Sequence, residues 1–176
     1  MVNLNVFYSR TRRGAAVAAA LLLLAPAMRA QLAKGDSFPA LADEGLTGTL
    51  PQTTGKVTFV DFWASWCAPC KASFPAYSRL QTDYAGRGLV IVAVGVDDTP
   101  ADYDTFVAKH KPLFPTVHDA QHKLVAAVQV PTMPTSYLID RTGKVRFVHP
   151  GFHGETTERE LRSEVEALLA EKGPTP

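Results

Sequence analysis

Residues 60–71 read Val60-Asp61-Phe62-Trp63-Ala64-Ser65-Trp66-Cys67-Ala68-Pro69-Cys70-Lys71. Together with residues 57–59, the β-branched and aromatic start of this stretch predicts a buried strand. Apolar side chains at helical spacing then predict a helix over residues 68–84. Cys67 and Cys70, the only cysteines of the chain, lie at the junction between strand and helix. A disulfide between them would close a very small loop and constrain the unfolded chain little, so the pair indicates chemistry rather than cross-linking.

The two cysteines are expected to have different roles. Cys67 falls at the N-terminus of the predicted helix, where unpaired N–H groups and the helix dipole favour a thiolate, the attacking form of cysteine. Cys70 follows one turn later, within reach of a mixed disulfide on Cys67, and Pro69 suits the first helical turn. A CxxC pair also occurs in zinc sites, but its position directly after a buried strand favours redox chemistry.

The rest of the chain alternates strands and helices before it ends in a hairpin and a helix. The pattern predicts strands over 89–96, 114–117, 136–140 and 145–149, and helices over 99–110, 123–128 and 157–170. Thr157 and Glu160 fit a capping box at the start of the last helix. This order predicts a three-layer α/β sandwich, with a parallel sheet completed by an antiparallel hairpin.

The N-terminal thirty residues differ from the rest in composition. Arg10, Arg12 and Arg13 precede an uncharged, mostly apolar run over 14–27. A basic start, a short apolar run and small residues after it are typical of a signal peptide. At ~1.5 Å per residue the run spans about 21 Å, short for a hydrocarbon core of about 30 Å. We therefore assign residues 1–30 to a signal peptide or membrane anchor, 31–55 to a lead-in segment and 56–172 to the folded domain.

The charge and motif content narrow the function classes. Residues 31–176 carry fourteen Lys and Arg against seventeen Asp and Glu, so this body offers no basic footprint for nucleic acid. It has no Gly-rich phosphate loop or dinucleotide fingerprint, so we expect no cofactor beyond a redox-active Cys67–Cys70 disulfide. Forty-seven residues separate Cys70 from the His118/His122 pair, too many for a usual zinc finger, and both histidines are expected to be solvent-exposed.

Residues 60–71 resemble the active-site signature of the thioredoxin superfamily. The N-terminal segment, Gly95-Val96-Asp97-Asp98 and Pro134-Thr135-Ser136-Tyr137-Leu138-Ile139-Asp140 resemble the exported TlpA/ResA branch more specifically. The resemblance covers about residues 35–170. It implies a thioredoxin-like three-layer α/β/α sandwich with a mixed central sheet, and dithiol–disulfide exchange. It also implies a cis bond before Pro134, with Met133-Pro134 facing the cysteines.

The resemblance gives Asp61 a role as the buried acid that takes a proton from Cys70. Burial raises the pKa of a carboxyl group, which suits a proton acceptor working near neutrality. A surface position at the strand end is the alternative. Some relatives instead carry a Glu three residues after the second cysteine, where this chain has Ser73. Asp61 is therefore the only obvious candidate, and assignment to the cytochrome c maturation subgroup is weakened.

The surface that meets a substrate is expected around the motif. Trp66, Ala68, Pro69 and Met133 are the candidate substrate-binding residues, whereas Trp63 is expected in the core. The resulting prediction is an exported oxidoreductase that reduces disulfides of exported proteins, fed by a membrane electron donor. We expect it in the periplasm or at the outer face of the cytoplasmic membrane, where an inner-membrane tether is an option. The alternative is copper binding or delivery by Cys67, Cys70 and Met133, because thiolates and thioethers suit Cu(I).

Overall fold

A mixed five-stranded sheet forms the centre of the molecule. The computed structural model describes residues 30–173. The strands are β1 (Val57–Trp63), β2 (Leu89–Gly95), β3 (Thr116–His118), β4 (Thr135–Ile139) and β5 (Val145–Pro150), in the spatial order β3-β2-β1-β4-β5. β1, β2 and β3 run parallel, whereas β4 and β5 are antiparallel to their neighbours. The predicted parallel core and C-terminal hairpin are confirmed.

Helices cover both faces of this sheet. They are α1 (Ala68–Tyr84), α2 (Pro100–His110), α3 (Lys123–Val128) and α4 (Glu155–Ala170), with short 3₁₀ turns at Leu41–Asp43 and Ala85–Arg87. Side chains of α1, α2 and α4 share one apolar cluster with one face of the sheet, and α3 packs in the cluster on the other face. The molecule is therefore the predicted three-layer α/β/α sandwich.

Alternation along β1 decides which side chains meet α1. Phe59 and Trp63 lie in the cluster that contains α1, whereas Val60 and Phe62 lie in the cluster on the opposite face. Successive side chains of a strand point to opposite faces, so Asp61 shares the α1 side with Phe59 and Trp63. The sheet therefore places a carboxyl group in the same layer as the cysteine-bearing helix.

The start of α4 differs from its prediction. The helix begins at Glu155, after Gly154 with a φ of 62°. Glycine adopts this left-handed backbone readily, which lets the helix begin two residues early. Thr157 is therefore already inside the helix, where its hydroxyl accepts a hydrogen bond from the His153 N–H at 3.0 Å. The predicted capping box of Thr157 and Glu160 is wrong.

The lead-in segment is part of the folded body. Its apolar side chains pack on the sheet face opposite α1; they are Leu32, Phe38, Leu41, Leu46 and Leu50. Short backbone bridges join Ser37 to Lys144 and Thr47 to His118. Within residues 30–173, none of the helices has the length and apolarity needed to cross a membrane. The predicted signal peptide or anchor lies outside the described residues, apart from Ala30.

Candidate active site

The cysteine pair occupies the N-terminus of α1 as a disulfide. The Cα atoms of Cys67 and Cys70 are 5.3 Å apart. Cys67 is the N-cap, and its sulfur accepts a hydrogen bond from the Cys70 N–H at 3.2 Å. Cys67 keeps 4% of its surface exposed, whereas Cys70 is 0% exposed. Both cysteines are therefore largely buried, but Cys67 retains slight exposure at the helix N-terminus between exposed neighbours, whereas Cys70 has none.

The loop that presents Cys67 is held by a buried acid that the sequence analysis left without a role. The Ser65 N–H donates to both carboxylate oxygens of Asp97, at 2.9 and 3.2 Å. Asp97 is buried directly after β2, the strand that pairs with β1. Because an unpaired buried carboxylate is costly, this interaction couples the turn before Cys67 to the end of β2.

His118 supports the same loop from β3. Its Nε2 lies 2.7 Å from the Asp97 carbonyl oxygen, and its ring stacks on Tyr103 with centroids 4.7 Å apart. The side chain is 3% exposed, so the expectation of a solvent-exposed His118 is wrong. The reason is that residue 118 ends a strand within the sheet. His122 is partly exposed, with its Nε2 3.1 Å from the Val96 carbonyl oxygen.

Asp61 lies fully buried in the layer between β1 and α1. Its Oδ1 accepts a hydrogen bond from the Tyr77 hydroxyl at 3.3 Å. Burial raises the pKa of Asp61 well above its usual value, and the hydrogen bond from Tyr77 offsets part of that rise. Burial also raises the pKa of the Tyr77 hydroxyl, and the neighbouring carboxylate raises it further. The surface alternative for Asp61 is excluded.

One face of α1 carries the groups that meet this layer. Cys70, Ser73, Phe74 and Tyr77 are all buried, at the spacings that place residues on one helix face. The Ser73 hydroxyl donates to the Cys70 carbonyl oxygen at 2.9 Å. The hydroxyl is therefore bonded to the helix backbone at the position where some relatives carry a Glu.

Pro134 lies at the same end of the sheet as the disulfide. The Met133–Pro134 bond is cis, as the resemblance implies. The antiparallel register pairs Thr135 with Phe62, so Pro134 adjoins the end of β1 that leads to Cys67. Pro134 is buried, and its carbonyl oxygen accepts from the Gly151 N–H at 2.7 Å. That Met133-Pro134 faces the cysteines stays a prediction.

The two tryptophans occupy opposite environments, as predicted. Trp63 is buried among the rings of Phe74, Tyr103 and Phe106. Trp66 is 70% exposed, and Ala68 and Pro69 are also exposed. An open groove begins at Trp66; its other lining residues are Val96, Asp98, His122, Val125, Ala126, Gln129 and Val130. The surface beside Cys67 therefore combines an exposed aromatic ring with a groove lined by both apolar and polar side chains.

Comparison with known proteins places this arrangement in a family. The sequence profile of the family described as redoxin matches residues 26–169. The chain belongs to the redoxin family. The thiol-disulfide oxidoreductase ResA of Geobacillus thermodenitrificans (strain NG80-2) is 31% identical to this redoxin over 140 residues, 78% of this chain and 79% of the relative. ResA of Geobacillus kaustophilus (strain HTA426) is 32% identical over 136 residues, 75% of this chain and 78% of the relative.

A solved structure agrees with these sequence relatives. The crystal structure of a putative thiol:disulfide interchange protein DsbE from Chlorobium tepidum superposes with a TM-score of 0.71 and 34% identity. The match covers 80% of this redoxin and all of that chain. This redoxin is a ResA-like thiol-disulfide oxidoreductase with a thioredoxin-like fold, with Cys67 and Cys70 within disulfide distance.

Sequence reasoning missed two polar contributors to this site. Tyr77 is one of the side chains whose helical spacing predicts α1, which gives it no polar role, and Asp97 enters only through a motif of resemblance. A signal was present for Tyr77, because it lies seven residues after Cys70 and therefore on the same helix face. Asp97 gave a weaker signal, since its partner is a backbone N–H thirty-two residues earlier.

Proposed function

We propose that this redoxin is an exported reductase of disulfides in exported partner proteins. Cys67 is the attacking residue and Cys70 the resolving residue. The observation that carries the proposal is their unequal placement: Cys67 keeps slight exposure at a helix N-terminus beside an exposed tryptophan, and Cys70 is fully buried. A helix N-terminus stabilises a thiolate, and a thiolate at the surface can reach a disulfide of another protein.

The exchange conserves two electrons and two protons. The Cys67 thiolate attacks one sulfur of the partner disulfide, which breaks that S–S bond, forms a mixed disulfide and releases one partner thiolate. The Cys70 thiol then loses its proton and attacks the Cys67 sulfur, releasing the second partner thiolate. The two partner thiolates take up two protons, the one lost by Cys70 and the one that Cys67 released to solvent when it ionised, and the Cys67–Cys70 disulfide closes. The partner is reduced by two electrons, and this redoxin is oxidised by two.

Asp61 is the proposed acceptor of the Cys70 proton. Its side chain lies in the layer that α1 covers, on the same face of the sheet as Cys70. Burial raises the pKa of this carboxyl, which makes the carboxylate a stronger proton acceptor than an exposed one. After the disulfide closes, the proton leaves Asp61 for solvent or for the departing partner thiolate.

The partner chain is proposed to bind over Trp66, Ala68 and Pro69, and alongside Met133-Pro134. Three of these residues are exposed around Cys67, and the groove that begins at Trp66 offers a surface of both apolar and polar side chains. A partner backbone lying there would present its cystine to the Cys67 sulfur. After each cycle, an upstream dithiol protein at the membrane reduces the Cys67–Cys70 disulfide again, and no other cofactor takes part.

Export is proposed from the composition of residues 1–30. Their arginine cluster, apolar run and small residues fit a signal peptide or anchor, which would place the domain in the periplasm or at the outer face of the cytoplasmic membrane. There an oxidising environment supplies disulfides to be reduced. The reducing direction is taken from the likeness to the TlpA/ResA branch.

Trapping tests the two cysteine roles. Cys70→Ser should accumulate mixed disulfides on Cys67 with exported proteins, because the resolving thiol is gone. Cys67→Ser is the matched control and should accumulate few adducts, because the remaining thiol is buried. Non-reducing electrophoresis followed by mass spectrometry identifies the partners. Equal trapping by both variants, or none by Cys70→Ser, would contradict the assignment.

The reduction potential tests the direction. Equilibration of the wild-type protein with glutathione buffers, followed by thiol trapping, gives the fraction reduced. We expect a value near that of dithiol reductants, about −270 mV, rather than that of disulfide-forming oxidants, about −120 mV. A value near the oxidising end would overturn the reducing direction and leave the exchange chemistry intact.

Copper titration distinguishes the proposed disulfide reductase from the alternative function, copper binding or delivery. Cu(I) binding would use the reduced sulfurs of Cys67 and Cys70, with Met133 as a third ligand. Tight one-to-one binding that weakens in Met133→Leu, together with no disulfide reductase activity, would favour copper binding or delivery. Disulfide reductase activity of the metal-free protein, with no tight Cu(I) binding, would favour the proposed reductase.

A further inference from the structure

Tyr77 is a fully buried tyrosine whose hydroxyl meets the Asp61 carboxylate. The Tyr77 oxygen lies 3.3 Å from Asp61 Oδ1, and both side chains are 0% exposed. The ring is enclosed by other aromatic side chains, with centroids 4.9 Å from Phe59, 5.9 Å from Phe152 and 6.4 Å from Phe114. Such a pocket would suit a phenylalanine, so packing alone does not account for the hydroxyl.

Burial of the Tyr77 hydroxyl costs free energy, and its hydrogen bond to Asp61 offsets that cost. Burying a hydroxyl in an apolar layer is unfavourable unless the group is hydrogen-bonded. The bond that Tyr77 makes goes to a charged acceptor, and bonds of this kind are stronger than neutral ones. The donor also comes from α1, two turns after Cys70, so the helix that carries the resolving cysteine also carries a ligand of the carboxylate.

We propose that Tyr77 is a positioning residue for thiol-disulfide exchange: its hydroxyl fixes the Asp61 carboxylate in the layer shared with Cys70 and stabilises its charged form. This inference rests on the role of Asp61 given under the proposed function. Without a donor, a buried carboxylate holds its proton too firmly to accept another from Cys70. With the phenol in place, it remains available as a base at lower pH.

Few other groups can tune this carboxyl. Tyr77 of α1 is the titratable group hydrogen-bonded to it, and Cys70, which becomes titratable on reduction, lies on the same face of α1. β2 presents Ala93 and β4 presents Ser136 at the paired positions. The α4 side chains buried in this layer are apolar: Leu161, Val165 and Leu168. Burial raises the pKa of Asp61, and the hydroxyl of Tyr77 and, to a smaller extent, that of Ser136 lower it, so Tyr77 contributes most to limiting the rise.

The kinetic test uses Tyr77→Phe, which keeps the ring and removes the hydroxyl. Reduced protein is mixed with an aromatic disulfide reagent that releases a coloured thiol at each step. The first release reports attack by Cys67, and the second reports attack by Cys70. We expect Tyr77→Phe to slow the second release about tenfold at pH 7, the effect of losing one hydrogen bond to a charge. The midpoint of its pH profile should rise, and the first release should stay unchanged.

Two matched variants make the result specific. Tyr84→Phe removes a hydroxyl from the same helix, one that lies 2.7 Å from Glu166 instead, and should leave both releases unchanged. In an Asp61→Asn background, Tyr77→Phe should add no further slowing, because the carboxylate through which it acts is absent. Equal slowing by Tyr77→Phe in both backgrounds would mean a general packing defect and overturn the inference.

A second readout separates this inference from the proposed function. The carboxyl carbon of Asp61, followed by NMR against pH, should titrate at a higher pH in Tyr77→Phe than in wild type. An unchanged titration would overturn the role of Tyr77. If Asp61→Asn left the second release unchanged, the role of Asp61 as proton acceptor would fail, while the NMR titration would still decide whether Tyr77 holds the carboxylate.

Discussion

At the scale of the residue, Asp61 carries the largest cost in the site. It is a fully buried carboxyl in a mostly apolar layer, in which the hydroxyls of Tyr77 and Ser136 are its polar neighbours. An ionised group there loses its hydration, and one hydroxyl donor replaces only part of that loss. The protein thus keeps a destabilising residue at the position where a proton acceptor for Cys70 is required, which is typical of functional sites.

Asp61→Asn should make the oxidised protein more stable at neutral pH. The folded-state pKa of Asp61 is raised, so the unfolded chain releases this proton at lower pH than the folded protein does. Stability therefore falls as pH rises from the ordinary carboxyl value, about 4, through the raised one. Asn does not ionise, so the variant should gain on the order of 1–3 kcal/mol at pH 8 and little at pH 4.

Guanidinium unfolding of the oxidised protein at the two pH values measures this difference. Asp98→Asn is the control, because the Asp98 side chain is exposed, and it should change stability by less than about 0.5 kcal/mol at either pH. A gain for Asp61→Asn that is equal at pH 4 and pH 8 would contradict the linkage to ionisation.

At the scale of the element, the end of β2 depends on the absence of a side chain. Gly95 pairs with Trp63, and a Cβ built on Gly95 would lie 2.5 Å from the Tyr103 ring and 3.0 Å from the Trp63 ring. The Tyr103 ring is stacked between Trp63 and His118, at centroid distances of 5.5 and 4.7 Å. Strand β2, helix α2 and strand β3 therefore meet at this glycine, two residues before Asp97.

Gly95→Ala should destabilise the fold by about 1–3 kcal/mol, since the added methyl overpacks this stack. It should also slow the first attack by Cys67. A shift at Gly95 would displace Asp97, whose carboxylate holds the Ser65 turn before Cys67. Gly86→Ala is the matched control, with no atom within 4 Å of its Cβ and no left-handed φ. Thermal unfolding and thiol kinetics measure the two effects. Equal stabilities of the two variants would contradict the steric explanation.

Sequence patterns predicted the elements best where a strong local signal coincided with burial. The bounds of α1 and α3 match the prediction to the residue. The start of α4 was missed because a glycine that adopts a left-handed backbone outweighed the Thr157 cap signal. The third strand was placed two residues early, because Phe114 packs against Phe74 and Tyr77 of α1 rather than in the sheet.

The residues of the candidate active site also differ in how far local sequence predicts them. Cys67 and Cys70 were predictable because their spacing and position carry chemistry locally. The Tyr77–Asp61 contact joins residues sixteen apart, and the Ser65–Asp97 contact joins residues thirty-two apart. Contacts of this kind are created by the packing of α1 on β1 and by the pairing of β1 with β2. No periodicity in a single segment reports them.

At the scale of the whole molecule, the segment before β1 completes the sandwich. α3 is only six residues long and covers little of the sheet face opposite α1. Residues 32–50 cover more of it, and the Phe38 ring packs 5.5 Å from that of Tyr137. Val60 and Phe62, the β1 side chains in the cluster on this face, are fully buried. A boundary at residue 56 would leave this face open to solvent.

Phe38→Ala should therefore destabilise the domain by about 1–2 kcal/mol, the loss expected for a half-buried aromatic side chain. Leu113→Ala is the control, because Leu113 is a large apolar residue that is mostly exposed, and should change stability by less than about 0.5 kcal/mol. Denaturant unfolding of both variants gives the comparison. A negligible effect of Phe38→Ala would show that the segment adds nothing to the core.

The contrast between the two tryptophans also gives the protein two separate optical reporters. Trp66 is open to solvent next to Cys67, and Trp63 is enclosed three residues earlier. A soluble quencher such as iodide therefore quenches the emission of Trp66 and not that of Trp63. Protection of the quenchable emission would signal that a protein has bound over the disulfide, and a red shift of the remainder would signal loss of the native interior. Binding and unfolding can thus be followed in one unlabelled sample.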